Sequence, residues 1–97
     1  MAWAYVQTFE TVTWDEYERV GRELGDETPE GAILHAAGPY GGSVRVIEVW
    51  ESEDAFDRFR NERLVPAVVR ALGEERAAQG PGRVEVLDVQ NLLLGAR

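Results

Sequence analysis

At 97 residues the chain has the length of one domain with a single modest core, so one domain over residues 1–97 is expected. Its net charge is -8, from 18 acidic residues against 10 basic ones, all of them arginine; this balance repels phosphate backbones and anionic lipid and sets nucleic acid and membranes aside as partners. The absence of cysteine removes disulfides, thiolate nucleophiles and cysteine-ligated metal centres.

The opening segment MAWAYVQTFE has no basic stretch before its apolar residues, and Gln7 and Glu10 interrupt it well short of a signal core or a membrane span. A cytoplasmic location is expected. The lack of lysine beside abundant Ala, Gly, Val and Arg is what a GC-rich bacterial genome would supply. Residues 2–10 alternate, with Trp3, Tyr5, Gln7 and Phe9 on one face, and predict the first strand. A helix follows: Thr13 can cap it, Glu16 stands at the capping-box position, Trp14, Tyr17, Val20 and Leu24 recur at helical spacing, and Gly25 ends it. Its other face, with Asp15, Glu18, Arg19, Arg22 and Glu23, is read as solvated.

Residues 32–37 predict the second strand, GPYGG a hairpin loop, and SVRVIEVWE a third strand apolar on both faces apart from Arg45 and Glu48. Ser52 caps a second helix with Glu53 and Asp54 in its first turn and Ala55, Phe56 and Phe59 facing inward. Pro66 lacks an amide hydrogen and should kink or restart that helix, with PAVVRALGEE as its continuation. Residues 74–83 read as a loop and RVEVLDVQNLLLG as the fourth strand. The order β-α-β-β-α-β is the α+β, ferredoxin-like arrangement: a four-stranded antiparallel sheet with the helices on one face. The other face, apolar and with nothing left in the chain to cover it, predicts a homodimer joined sheet to sheet.

His35 is the only histidine. Imidazole exchanges protons near neutral pH, which makes it a candidate general acid/base; the alternative is a core or interface histidine bonded to Glu48, Asp88 or a main-chain carbonyl. Period-two alternation places Glu48 with Val44, Val46 and Trp50, and Asp88 with Val84, Val86, Gln90 and Leu92. A lone carboxylate in an apolar row must be paired or hold its proton. If the two rows meet on the helix-facing side, Glu48, Asp88 and Gln90 line one cavity; alternatively an arginine neutralises an acid at a dimer interface. No metal site is expected, since one histidine would need both carboxylates beside it. Trp14, Tyr17, Trp50, Phe56 and Phe59 suit a core as well as a ligand cage. Tyr40, in the Gly-rich loop, could close over a pocket or simply make a turn.

The stretch VIEVWESEDAFDRF resembles the dimeric α+β barrel superfamily, in its antibiotic biosynthesis monooxygenase-like branch, through Glu48, Trp50, Glu51, Ser52, Glu53, Ala55 and Phe56. The resemblance implies a dimeric α+β barrel and activities that include cofactor-independent oxygenation of aromatic polyketides, haem degradation, cyclisation and isomerisation. Phe59 stands where many members have a histidine, and Val65, Pro66, Ala67, Val68 and Val69 where haem-degrading members supply an axial one, so haem is not expected. The combined expectation is a small homodimeric enzyme with no cofactor, acting on a hydrophobic metabolite, aromatic polyketide-like compounds included. His35, Glu48 and Asp88 are its catalytic candidates; Trp50, Tyr40, Gln90, Phe59 and Phe56 are its substrate-binding candidates. The rival from another class is a non-catalytic small-molecule-binding or assembly protein of the same fold.

Overall fold

The computed structural model describes residues 2–79 and 82–95. The alternating opening segment is strand β1 (Trp3–Phe9), and the Thr13 capping box forms as predicted: its hydroxyl accepts from the Glu16 amide while the Glu16 carboxylate accepts from the Thr13 amide. Helix α1 (Trp14–Leu24) follows and ends at Gly25, whose φ of 79° suits a residue without a Cβ. Strands β2 (Ala32–Tyr40) and β3 (Ser43–Trp50) form a hairpin. Then come α2 (Glu53–Phe59), a π-helical turn (Arg60–Leu64), α3 (Val65–Leu72), the short α4 (Glu74–Ala78) and β4 (Arg83–Asp88). The sheet order β2-β3-β1-β4, with every neighbouring pair antiparallel, is the ferredoxin-like arrangement the element order implied.

Three expectations are corrected, and the outcome at Pro66 is resolved. GPYGG is not an open loop: β2 runs through Tyr40, which pairs with Ser43 across a two-residue Gly41-Gly42 turn, Gly41 supplying the positive φ that a tight hairpin needs. At Pro66 the restart occurs: a new helical segment, α3, begins at Val65 with the proline in its first turn. The turn before it widens to π geometry, with the Val65 amide bonded to the Arg60 carbonyl, and this makes room for a ring that would otherwise press on the carbonyl four residues back. Gly73, at φ 97°, then ends α3, so GEE does not continue it; residues 74–78 of the expected loop are helical, while Gly80 and Pro81 lie outside the described residues. Finally, β4 stops at Asp88. The Val89 amide reaches the Ala2 carbonyl at 2.9 Å, and residues 90–95 leave the sheet.

The register fixes the two faces. Trp3, Tyr5 and Gln7 of β1, Val44, Val46, Glu48 and Trp50 of β3, and His35 of β2 look toward the helices, where Tyr5, Trp50, Ala55 and Phe56 make the core cluster with Trp3 and Phe59 packed against it. Arginines fasten α1 above this core. Arg63 caps its C-terminal end through the Leu24 and Glu27 carbonyls, Arg70 binds Glu23, and Arg76 grips Glu16 with both terminal nitrogens. Glu23 is exposed as expected but ion-paired, and Glu16 serves both the capping box and Arg76. On the opposite side of the sheet, Leu34, Ile47 and Leu87 are exposed. No helix among the described residues is long and apolar enough to cross a membrane.

Gly31 sits where α2 comes closest to the entry of β2. Its φ is 89°, and a Cβ there would stand 2.6 Å from the Ala55 Cβ. Gly31→Ala is expected to cost about 2–4 kcal/mol from backbone strain and overpacking together. Urea denaturation checks it; a loss below ~0.5 kcal/mol would show that the approach relaxes freely.

Candidate functional site

The site is built around one cross-sheet row. In the register Tyr5 of β1 lies opposite Glu48 of β3, and Glu48 lies opposite His35 of β2, so three polar side chains from three strands share a line on the helix-facing side. Glu48 is only 5% exposed. Its Oε1 accepts from the Tyr5 hydroxyl at 2.6 Å and from the Trp50 indole N–H at 2.7 Å, and its Oε2 meets Nδ1 of His35. The other ring nitrogen of His35, Nε2, lies 2.6 Å from the Tyr17 hydroxyl on α1, and the two rings are nearly parallel. The chain of contacts therefore runs from a buried carboxylate through an imidazole, whose side chain is 48% exposed, to a phenol on the helix.

Burial alone would push the Glu48 carboxyl up, but the hydrogen bonds from His35, Tyr5 and Trp50 outweigh it and hold the carboxyl below the usual range. Tyr5 is pushed strongly up by burial and then by the Glu48 charge, and Tyr17 is raised for the same two reasons, so both phenols keep their protons. An ionised carboxylate can only accept, which assigns the hydrogen of neutral His35 to Nδ1 and leaves Nε2 to accept from the Tyr17 O–H. Chemically this is a base whose cation, once formed, faces a fixed anion.

The remaining candidates fall elsewhere. Asp88 shares the helix-facing side but lies at the end of β4, beyond Trp3, exposed and bonded to Gln90 at 3.2 Å; the common cavity of Glu48, Asp88 and Gln90 does not form. Trp50, at 2% exposed, and Phe56 are packed into the core cluster, so they fill the space expected to hold a pocket. Phe59 is half-buried between Trp50 and the Arg63 guanidinium and borders an open groove with the 27–30 loop. Tyr40 is on the opposite face of the sheet, where the Arg45 guanidinium lies 3.9 Å from its ring centre, and cannot gate a pocket under the helices. Beside the relay, Trp14 stacks on Tyr17 with centroids 4.8 Å apart, and both border an open groove along α1. Among the described residues no cluster of three His, Cys, Asp or Glu side chains is placed to hold a metal.

Tyr17 and Tyr5 were hidden by their aromaticity, which reads as core at helical or strand spacing. The available signal was Glu48 itself: a lone acid in an apolar row requires donors, and its row holds the Trp50 indole and, once β1 pairs with β3, the Tyr5 phenol.

Truncating the carboxylate would leave two buried donors unpaired. Glu48→Ala is therefore expected to lower unfolding stability by about 3 kcal/mol, and Tyr5→Phe, which leaves Glu48 two donors, by about 1 kcal/mol. Denaturant unfolding of both measures the difference; equal losses would mean that Tyr5 and Glu48 are not coupled.

No family model and no curated protein matches the sequence. Solved structures match across almost all of its length. A candidate antibiotic biosynthesis monooxygenase from Caulobacter crescentus superposes with a TM-score of 0.68 at 21% identity, covering 93% of this chain and 91% of that one. SnoaB, a cofactor-independent oxygenase from Streptomyces nogalater, gives 0.58 at 18% identity over 95% and 96% of the two chains. The ActVA-Orf6 monooxygenase of Streptomyces coelicolor, solved with the ligand Nanaomycin D, gives 0.58 at 18% identity over 98% and 93%. The chain has the ferredoxin-like α+β fold of the antibiotic biosynthesis monooxygenase structures.

Proposed function

We propose that this protein is a small homodimeric enzyme that moves protons on a hydrophobic metabolite, aromatic polyketide-like compounds included, without a cofactor. The observation that carries this reading is the Tyr17–His35–Glu48 chain, anchored on a buried anion and ending at a half-exposed imidazole and phenol. A substrate hydroxyl or acidic C–H brought to this end gives its proton to Nε2 of His35, directly or through Tyr17, and the Glu48 carboxylate stabilises the imidazolium. The substrate anion then has three outcomes. It isomerises if the proton returns at another carbon, and it cyclises if the carbanion adds to an internal carbonyl. With dioxygen as oxidant a ring methylene becomes a hydroperoxide and then a ketone, one oxygen atom entering the product and the other leaving as water. The neighbouring fold of an oxygenase that uses no cofactor supports this class and does not choose among the three.

The stacked Trp14 and Tyr17 rings offer a flat surface beside the base, which suits a planar substrate. A second copy of the chain is the partner that fits the uncovered sheet face: Leu34, Ile47 and Leu87 form an apolar strip with Ala36 and Val49, and a two-fold axis would pair that strip with itself. One observation favours the rival, non-catalytic reading. The space between sheet and helices is filled by aromatic side chains, so a ligand has to sit at the open α1 side rather than in an enclosed pocket.

Anthrone, which has an acidic methylene and a flat tricyclic ring, is a direct probe. Oxygen uptake with anthraquinone formation is expected, and His35→Ala should slow it by about 10²–10⁴-fold; turnover unchanged from the wild type in both His35→Ala and Glu48→Gln would remove these residues from the mechanism, and binding without turnover would favour the rival. Size-exclusion chromatography with light scattering is expected to give a dimer at micromolar concentration, and Ile47→Glu should shift it to monomer. A stable wild-type monomer would overturn the sheet-to-sheet pairing.

A further inference from the structure

The direction in which the relay moves a proton depends on which atom of each member carries hydrogen, and that choice is made at the end remote from solvent. Glu48 has two oxygens with different surroundings. Oε1 receives two donors, the Tyr5 hydroxyl at 2.6 Å and the Trp50 indole N–H at 2.7 Å, while Oε2 faces only Nδ1 of His35. An indole N–H can only donate, and Tyr5, buried against the carboxylate, keeps its proton. A carboxyl proton therefore has no room on Oε1, where it would point at two other hydrogens.

We infer that Tyr5 and Trp50 are positioning residues which, by saturating Oε1, orient the Glu48 carboxylate and lock His35 in the Nδ1–H tautomer with Nε2 as the base. This rests on the acid/base reading for its catalytic meaning, although the tautomer itself is a property of the resting protein. Without the two donors, a carboxyl this deeply buried tends to take a proton, because burial is the largest single influence on it and acts to keep it neutral. A protonated Oε2 would donate to Nδ1, the imidazole hydrogen would move to Nε2, and Tyr17 would become the acceptor. The relay would then have no base at its exposed end. Two side chains that never reach the substrate thus decide whether His35 can accept a proton from it.

Glu48→Gln gives a sharp test, because the amide keeps the volume and loses the symmetry of the carboxylate. If Tyr5 and Trp50 dictate orientation, they claim the amide oxygen, and the NH₂ group must face His35. Nδ1 then has to accept, and the imidazole is forced into the Nε2–H tautomer. If they do not, the amide turns its oxygen to His35 and the Nδ1–H tautomer persists. Long-range ¹H–¹⁵N spectra of untagged, ¹⁵N-histidine-labelled protein separate the two tautomers, and a single histidine leaves no assignment ambiguity. Expected are Nδ1–H in the wild type and Nε2–H in Glu48→Gln. The double variant Tyr5→Phe/Glu48→Gln, with one donor left, should return a measurable fraction of Nδ1–H. Persistence of Nδ1–H in Glu48→Gln overturns the inference, as does an Nε2–H wild type. Tyr5→Phe alone removes one oxygen and keeps the ring, so it supplies the outcome if Glu48→Gln fails to fold: the acid titration of the Glu48 side-chain ¹³C signal should move to higher pH, and an unchanged midpoint would also overturn it. If Glu48→Gln switches the tautomer while the wild type does not consume anthrone, the positioning stands and the acid/base function falls; wild-type turnover with no tautomer switch in Glu48→Gln has the reverse meaning.

Discussion

A buried carboxylate is the constraint around which this small fold is arranged. Removing Glu48 from water costs several kcal/mol, and each hydrogen bond to a charged group returns about 1.5–3 kcal/mol, so a single partner would not suffice and three can. The three come from different places: Tyr5 on β1, Trp50 two residues along β3, and His35 on β2. A one-residue slip between β1 and β3, or between β2 and β3, would turn Tyr5 or His35 to the opposite face of the sheet. The polar row thus helps to specify the register that the apolar residues alone specify less sharply. Because the Glu48 pKa is lower in the folded chain than in the unfolded one, this contribution is complete above the ordinary glutamate range and fades as the pH falls through the folded value.

The same arrangement decides where chemistry can occur. Tyr5, Trp50 and Phe56 occupy the space under α2, so the interior offers packing and the exposed end of the polar row lies where Tyr17 of α1 meets His35 of β2. The position of α1 is then a functional matter. Three arginines from the second half of the chain hold it, and Arg76, with help from the Thr13 amide, keeps the Glu16 carboxyl down to about 2, so that this clamp stays charged at any ordinary pH. Tyr17 sits one residue beyond Glu16 on the same helix. The helix fastening and the Tyr17–His35–Glu48 contacts are therefore continuous, from Arg76 through α1 to Tyr17 and on to His35.

Much of this architecture was legible in the sequence. The Thr13 capping box, the Gly25 stop, the Ser52 cap and the alternation in β1 and β3 are local signals, and each specifies a local geometry. The element order and the mixed polar row around Glu48 followed from them. What was not legible depended on register and on pairs distant in sequence. Whether Glu48 meets Asp88 or Tyr5 turns on which strand lies beside β3, and the sheet order places β1 between β3 and β4. Tyr40 was misread because a Gly-Pro-Tyr-Gly-Gly run looks like a loop when the strand continues through it, and Pro39 is tolerated there because β2 is an edge strand. The π turn before Pro66 has no periodic signature of its own. It follows from satisfying a proline inside a helix that packing keeps continuous.

A fold likeness of this kind transmits layers and strand order, and chemistry resides in side chains that many sequences of one fold do not share. Here the five groups that matter, Tyr5, Tyr17, His35, Glu48 and Trp50, form a directed set: two donors fix the carboxylate, the carboxylate fixes the imidazole, and the imidazole receives the phenol. A buried anion needs that polarity for stability alone, because an ionised Oε2 requires the Nδ1–H donor, so the inner half of the set is explained without any ligand. A half-exposed imidazole whose accepting nitrogen is turned toward solvent and α1, with its donating nitrogen turned inward to a permanent anion, is oriented for taking protons from outside. What packing does not require is the exposure of the accepting end, and it is that exposure, more than the burial or the number of hydrogen bonds, on which the proposed acid/base role rests.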